Sequence, residues 1–271
     1  MTFKTVLVHV RPSAASSDAL RLAVEFAREH QADLIGVGAR ARVVIADQWV
    51  ASIDGTIIQA LDDDETADIK EAEARFREAV ECLGDRAHWV THRTYPNDAL
   101  IAQAAGVDLA VVSMETGDRG LVVNAANLVF DLGLPVVIAP AGVAALSPRS
   151  IVIAWRNTRE ARIAISSALP LLRADEEVQI VEVDGSESTP DAKSGLHAMV
   201  SRLRRHGIEA QPHVREKSGA PELTVLDFAS ACSADLIVAG AYGHSRAQEW
   251  VLGGMTQGLL SASTVPLFLC H

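Results

Sequence analysis

Three glycines near the end of the chain have the spacing of a loop that could bind phosphate. Gly240 and Gly243 follow the apolar run 236–239, and with Gly253 they form the pattern G-x2-G-x9-G. Glycines let backbone N–H groups approach an anion because no Cβ intervenes, and a helix that starts after such a loop adds unpaired N–H donors. The alternative interpretation is structural: the same glycines make a tight turn and separate two helical segments.

The elements predicted around these glycines are those of a parallel α/β sheet. The run 236–239 is apolar throughout, as a strand buried on both faces usually is, and 265–269 is a second such run. A helical stretch is predicted between them. Strand, glycine loop, helix and strand is the order found in βαβ units, in which ligands bind at the carboxyl ends of the strands.

The chain repeats one α/β unit. The strand-like run 4–10 precedes a helix with an apolar stripe from Leu20 to Ala27, and the run 150–155 precedes a helix whose stripe, from Ile165 to Leu172, lies 145 residues later (165 − 20 = 145). Further along, 108–112 corresponds to 235–239 at an offset of 127, so the first half holds a net 18 extra residues (145 − 127). We place them within Arg40–Asp64, as a part-helical cover, an interface or a functional lid.

Each half therefore has five predicted strands alternating with four helices, which predicts an α/β fold with a parallel sheet covered on both faces. We expect two similar domains, about 1–143 and 147–271, which superpose and are joined by the short linker 141–149. The final strands, near Pro135 and Pro266, should face each other. We expect two separate sheets rather than one continuous sheet of ten strands.

The C-terminal stretch resembles the signature of the universal stress protein (UspA) family, through Gly240, Gly243 and Gly253, through 242–245 and through the closing Val265-Pro266. With the repeat, the resemblance extends over nearly the whole chain, as to a tandem-domain member. It implies the strand order 3-2-1-4-5 in each half and pairing of the two halves as an internal pseudo-dimer. It also implies a site for ATP or another adenine nucleotide in the second half, formed by Arg156, Val183, Ala239, Gly240, Gly243, His244, Gly253, Gly254 and Met255.

Departures from the family's pattern predict that nucleotide binding is weak. Gly254 stands where ATP-binding members have a Ser or Thr that helps to hold phosphate. Arg11 and Arg156 stand where those members have an acidic residue facing the adenosine end of the ligand, and a guanidinium offers donors only. In the first half Ser113 and Thr116 replace the first two glycines, so we expect a nucleotide in the second half only. The two arginines either bind an anion or lie at a solvated edge of the sheet.

The histidines predict neither a metal site nor catalysis. His88 and His92 have the spacing of a helical metal pair, but they lie in a strand-like run with no third ligand in the sequence. His244 either contacts phosphate or caps the following turn, for which Ser245 is the better N-cap residue. No nucleophile with an evident base stands out. We expect no metal and no enzymatic activity.

The composition of the chain excludes several classes of function. The net charge of −11 disfavours nucleic acid as a partner, and no apolar run approaches the roughly 20 residues of a membrane span. No signal peptide is evident, and three scattered cysteines suit a reducing cytoplasm. We expect a cytoplasmic stress-response binding protein whose partner is a nucleotide or small anion, with a homodimer as a further option. The alternatives are an interaction protein without a nucleotide ligand and a slow ATP hydrolase.

Overall fold

The computed structural model describes residues 2–40, 55–115, 117, 122–143, 145–146, 148–173, 176–184, 190–217, 219–243 and 254–271. Its first half alternates strands and helices as the sequence predicts. The elements in chain order are β1 (Thr5–His9), α1 (Ala14–His30), β2 (Asp33–Ala39), α2 (Gly55–Ala79), β3 (Ala87–His92), α3 (Pro96–Gln103), β4 (Leu109–Ser113), α4 (Ala125–Asp131) and β5 (Val136–Ala139).

The second half repeats this order. Its elements are β6 (Ser150–Trp155), α5 (Arg159–Ala168), β7 (Glu177–Asp184), α6 (Pro190–Arg205), β8 (Ala210–Glu216), α7 (Pro221–Ala231), β9 (Leu236–Gly240), α8 (Met255–Ala262) and β10 (Leu267–Cys270). The helix α5 is shorter than its apolar stripe suggests, because it ends at Ala168 while Leu169 and Leu172 of that stripe lie beyond it.

The repeat extends to the polar groups that fix the ends of elements. Ser13 caps α1 by accepting a hydrogen bond from the N–H of Ser16, and Thr158 caps α5 in the same way from Ala161. One carboxylate oxygen of Asp108 accepts hydrogen bonds from two N–H groups at the start of β1, at 2.7 and 3.0 Å. Its counterpart Asp235 does the same at the start of β6.

The strands form one sheet in the order β3-β2-β1-β4-β5-β10-β9-β6-β7-β8. Each half is parallel, and its strand order is the predicted 3-2-1-4-5. The expectation of two separate sheets is wrong, because the last strands of the halves pair in antiparallel register, with Phe268 opposite Val137. Edge strands present unpaired N–H and C=O groups, and this pairing satisfies those of both inner edges at once.

The core consists of two layers, one on each face of the sheet. On one face α1, α2, α5 and α6 pack through residues such as Phe26, Phe76 and Leu203. On the other face α3, α4, α7 and α8 pack through residues such as Leu100 and Leu128. Both layers continue across the joint between the halves, so the central strands β5 and β10 are buried along their whole length.

The predicted insertion within Arg40–Asp64 lies partly outside the described residues, since 41–54 are not described and α2 begins at Gly55. Arg40, at the near end of the insertion, forms a salt bridge with Asp68 of α2 (Nη1–Oδ2 2.6 Å). No described helix is long and apolar enough to cross a membrane.

Candidate ligand-binding site

The predicted site lies at the carboxyl edge of the second half of the sheet. Ala154 of β6 pairs with Ala239 of β9, so Arg156 and Gly240 leave neighbouring strands at the same edge. Val183, near the end of β7, is half-buried. It lies opposite Arg215 of β8, the next strand towards the edge of the sheet. Of the predicted site residues, His244 and Gly253 lie outside the described residues.

Gly240 is required by the packing of β9 against α5. A Cβ at this position would lie 2.3 Å from the backbone nitrogen of Ala161 and 2.5 Å from the carbonyl carbon of Glu160. These are backbone atoms at the start of a helix, which cannot move aside easily. The contacts therefore explain this glycine as a close approach of strand and helix, which is the structural alternative raised by the sequence.

Gly243 faces the first turn of α5. A Cβ here would lie 3.1 Å from Oε2 of Glu160 and 3.5 Å from Cβ of Thr158. Glu160 is 9% exposed, and among the described residues Nη1 of Arg159 lies 3.9 Å from its Oε1. A ligand phosphate at this glycine would therefore meet a carboxylate as well as backbone donors.

The start of α8 supplies the donors expected of a phosphate site. Gly254 is the N-cap residue and has no side chain to accept from the first N–H groups of the helix, which begins at Met255. Thr256, in the first turn, is buried and its hydroxyl accepts a hydrogen bond from the N–H of Tyr242 at 3.2 Å. Tyr242 has a φ of 59°, so the backbone turns sharply between β9 and this helix.

Arg156 is exposed just past the end of β6. Its backbone carbonyl accepts a hydrogen bond from the N–H of Thr158 at 2.7 Å, whereas its guanidinium forms no hydrogen bond or salt bridge within the described part of the chain. It is therefore available to a ligand anion.

Two buried side chains next to Arg156 were not predicted. Trp155 is 4% exposed and Glu182, opposite it on β7, is 6% exposed. Within the described ranges the indole Nε1 of Trp155 has no hydrogen-bond partner. A comparison of the two halves could have identified Trp155, because it corresponds to the much smaller Val10 of the first half (155 − 10 = 145).

The first half has a different arrangement at the equivalent edge. Ser113, at the position of Gly240, is 6% exposed and ends β4. Two residues later, the carboxylate of Glu115 accepts hydrogen bonds from Arg11, Ser13 and Ser113. Glu115 was also missed, because the sequence comparison considered only the lost glycines of this loop.

A small cavity of about 20 Å³ adjoins Arg11 in the first half. It is lined by the ends of β1 and β2 and by α2, including Gly38, Ala39, Arg40 and Asp68. This volume is enough for about one water molecule.

Two buried groups near these edges are kept uncharged. Burial, followed by the positive charge of Arg11, lowers the pKa of His9, in β1, to about 4. Burial also raises the pKa of the Cys270 thiol to about 12, which leaves it unreactive at neutral pH. His92 contacts Gln103 (Nε2–Nε2 3.0 Å), and the described residues contain no group of three or more His, Cys, Asp or Glu that could hold a metal ion.

Comparison with known proteins agrees with this fold. The model of the universal stress protein family matches residues 149–271. A universal stress protein from Archaeoglobus fulgidus DSM 4304 aligns over 98% of this chain and 95% of its own, with a TM-score of 0.73 and 18% identity. A putative universal stress protein from Pseudomonas aeruginosa UCBPP-PA14 aligns over 99% and 93%, with a TM-score of 0.65 and 16% identity. At these identities the likeness concerns the fold alone. No curated protein matches the sequence.

Proposed function

We propose that the chain is a universal stress protein, which the match of residues 149–271 to the model of that family supports, and that it is a non-catalytic binding protein whose second half takes a phosphate-bearing ligand. The observation that supports this most directly is Arg156, whose exposed guanidinium has no partner among the described residues and lies beside the glycine-lined end of β9. The N–H groups in the first turn of α8, which Gly254 does not cap with a side chain, add to the attraction for an anion.

Within this proposal, ATP or another adenine nucleotide binds weakly. The guanidinium of Arg156 stands where the resemblance implies a carboxylate acceptor for the adenosine end, and a lost hydrogen bond at a buried site costs about 1–3 kcal/mol, or about ten- to a hundredfold in affinity. The carboxylate of Glu160 near Gly243 opposes a phosphate as well. Affinity should therefore depend on the phosphate end rather than on the base.

The second candidate is an interaction protein without a nucleotide ligand. Gly240 favours it, because close packing against Ala161 accounts for this glycine without any ligand. Slow hydrolysis of ATP, the third interpretation of the sequence, gains no support from the described contacts of Arg156, Thr158 and Gly243.

The cellular setting is part of the same proposal. We place the protein in the cytoplasm, where the free thiols of Cys82, Cys232 and Cys270 would stay reduced. The pairing of β5 with β10 forms the internal pseudo-dimer. A further homodimer stays a prediction.

The test is a calorimetric titration of ATP and of pyrophosphate, which lacks adenosine, into the wild type and into Arg156→Asp. We expect weak binding of both ligands to the wild type. In Arg156→Asp the ratio of ATP affinity to pyrophosphate affinity should rise about ten- to a hundredfold, because the base regains an acceptor while the phosphates lose a cation.

Arg159→Asp is the matched control, since Arg159 is an exposed arginine at the start of α5 with the same change of charge. This variant should lower the affinities for ATP and for pyrophosphate to the same extent and leave the ratio of the two affinities unchanged. Tight ATP binding by the wild type that Arg156→Asp weakens would contradict our account of Arg156. Failure of both proteins to bind either ligand would favour the interaction protein.

A further inference from the structure

Tyr242, between Gly240 and Gly243, has a backbone conformation that is rare for its residue type. Its φ is 59°, which lies in the left-handed region. A residue with a bulky side chain is strained there and persists only where its surroundings hold it. The other described non-glycine residues with a positive φ, Gln31 and Ser233, lie just past the ends of α1 and α7, where a left-handed residue is common. Tyr242 follows a strand, so the end of a helix does not explain its conformation.

Ring contacts hold Tyr242 in place, and one of them comes from the first half. The Tyr242 side chain is buried, and its ring meets that of Phe130 in a T-shaped arrangement, with centroids 6.1 Å apart and an interplanar angle of 81°. The ring of His271, after β10, lies 4.5 Å from that of Phe130 and 6.4 Å from that of Tyr242. Phe130 belongs to α4, so a residue of the first half supports a loop of the second.

The hydrogen bonds around Tyr242 fix the chain up to this residue and leave the next donor open. The N–H of Ala241 donates to the carbonyl of Cys270 at 2.8 Å, and the N–H of Tyr242 donates to Oγ1 of Thr256 at 3.2 Å. Gly243 is exposed, and among the described residues its N–H has no hydrogen-bond partner. The φ of Tyr242 sets the direction in which the chain continues, so relaxation of this residue would displace the first open donor of the loop.

The first half lacks this arrangement. Glu115 stands at the position that corresponds to Tyr242 (242 − 115 = 127). Its φ is not positive, and its side chain forms a salt bridge with Arg11 (Nη1–Oε2 3.3 Å). The left-handed residue therefore occurs in the half that retains the glycine pattern and is not a requirement of the fold.

We propose that Tyr242 is a positioning residue for the ligand of the second half: the ring of Phe130 holds its left-handed backbone, which keeps the N–H of Gly243 in the direction that the ligand requires. The first half, which has lost the glycines of its own loop, thereby supports the loop of the second half. This role rests on the function proposed above, whereas the support itself is measurable without a ligand.

The test uses the full chain with ¹⁵N-labelled tyrosine. The sequence contains two tyrosines, so only the amides of Tyr95 and Tyr242 give signals, and the exposed Tyr95 is the reference. Hydrogen exchange of the Tyr242 amide reports its bond to Thr256, and a calorimetric titration of pyrophosphate reports binding. In Phe130→Ala we expect this amide to exchange about three- to thirtyfold faster. Pyrophosphate affinity should fall by a similar factor, because the ligand must then restore the left-handed backbone.

Phe76→Ala is the matched control, because it removes the same ring from the first half on the opposite face of the sheet, where Phe76 packs against Trp89. This variant should leave both the exchange rate of the Tyr242 amide and the pyrophosphate affinity unchanged. Phe130→Tyr keeps the ring and should preserve both wild-type values.

The proposal is overturned if the Tyr242 amide exchanges at the same rate in the wild type and in Phe130→Ala, or if Phe76→Ala accelerates the exchange equally. It is also overturned if Phe130→Ala accelerates the exchange without loss of pyrophosphate affinity, a result that leaves the proposed function intact. If the wild type itself binds no pyrophosphate, the proposed function fails and the role of Tyr242 in binding fails with it.

Discussion

His9 is a buried histidine in the middle of the first half. It is 2% exposed, its Nε2 has no hydrogen-bond partner among the residues that the structure describes, and burial lowers its pKa to about 4. The unfolded chain, with a histidine pKa near 6.5, takes up the proton first as the pH falls. The contribution of His9 to stability is therefore complete above about pH 6.5 and is lost as the pH falls towards 4.

We expect His9 to make the free energy of unfolding about 2 kcal/mol lower at pH 5 than at pH 7.5. Urea unfolding curves at the two pH values measure this difference. His30 and His213 also have lowered pKa values and act in the same direction, so the wild type alone does not isolate His9. His9→Phe keeps an aromatic ring without a proton to bind and should remove about this much of the difference. An equal pH dependence in both proteins would refute the assignment.

For single residues, the sequence predicted where a side chain lies in the fold better than it predicted which groups that side chain contacts. Arg11 and Arg156 were identified from the ends of the first strands, and both lie there. Their environments differ through Glu115 and Tyr242, which stand two residues beyond a strand. Whether such a side chain turns inward to meet an arginine depends on loop geometry, which has no periodic signal in the sequence.

At the scale of elements, the contact between β9 and α5 decides what the glycines do. The sequence left two interpretations open, a phosphate loop or a structural turn. Gly240 approaches backbone atoms of α5, whereas Gly243 approaches mainly the end of the flexible Glu160 side chain and Thr158. Close packing against the helix backbone therefore requires a glycine at position 240 but not at position 243.

Gly240→Ala should lower the free energy of unfolding by about 3 kcal/mol, because the added Cβ overlaps the backbone of α5 and forces strand and helix apart. Gly243→Ala is the matched control and should cost less than about 1 kcal/mol, since the Glu160 side chain can rotate away. Chemical denaturation of both variants measures the difference. Equal costs would mean that the helix adapts freely and that packing does not explain Gly240.

Element type and order were predictable because buried parallel strands and amphipathic helices have distinct periods. The strand Ser150–Trp155 was predicted with the bounds that the structure has. The end of α5 was less predictable, because Leu169 and Leu172 continue the apolar period after the helix has ended at Ala168. Apolar side chains that are buried after the end of a helix give the same sequence period as a longer helix, so the period alone does not show where the helix ends.

At the scale of the whole molecule, the repeat predicted two similar units but not their union in one sheet. The strands that join them, β5 and β10, are short apolar runs like the other buried strands, so their sequences do not indicate which edge they pair with. Phe268 of β10 lies opposite Val137, and its ring centroid is 6.5 Å from that of Phe3 in the first half. The joint thus belongs to the core of both halves.

We expect this continuity to make the chain unfold as one unit. Two reporters can distinguish the halves, Trp89 in β3 and Trp155 in β6. Variants that keep one of these tryptophans, with the other tryptophans replaced by Phe, should give coincident urea unfolding curves by fluorescence. Phe268→Ala, at the joint, should shift both curves by about 3–5 kcal/mol.

The discriminating variant is Leu203→Ala, because Leu203 is fully buried and lies in α6 of the second half. Its removal should cost about 2–5 kcal/mol. If the ten strands unfold together, the Trp89 curve must move as far as the Trp155 curve, although the cavity lies in the other half. A Trp89 curve that stays in place would mean that the halves unfold separately, and that pairing between β5 and β10 joins two independent units without coupling their stability.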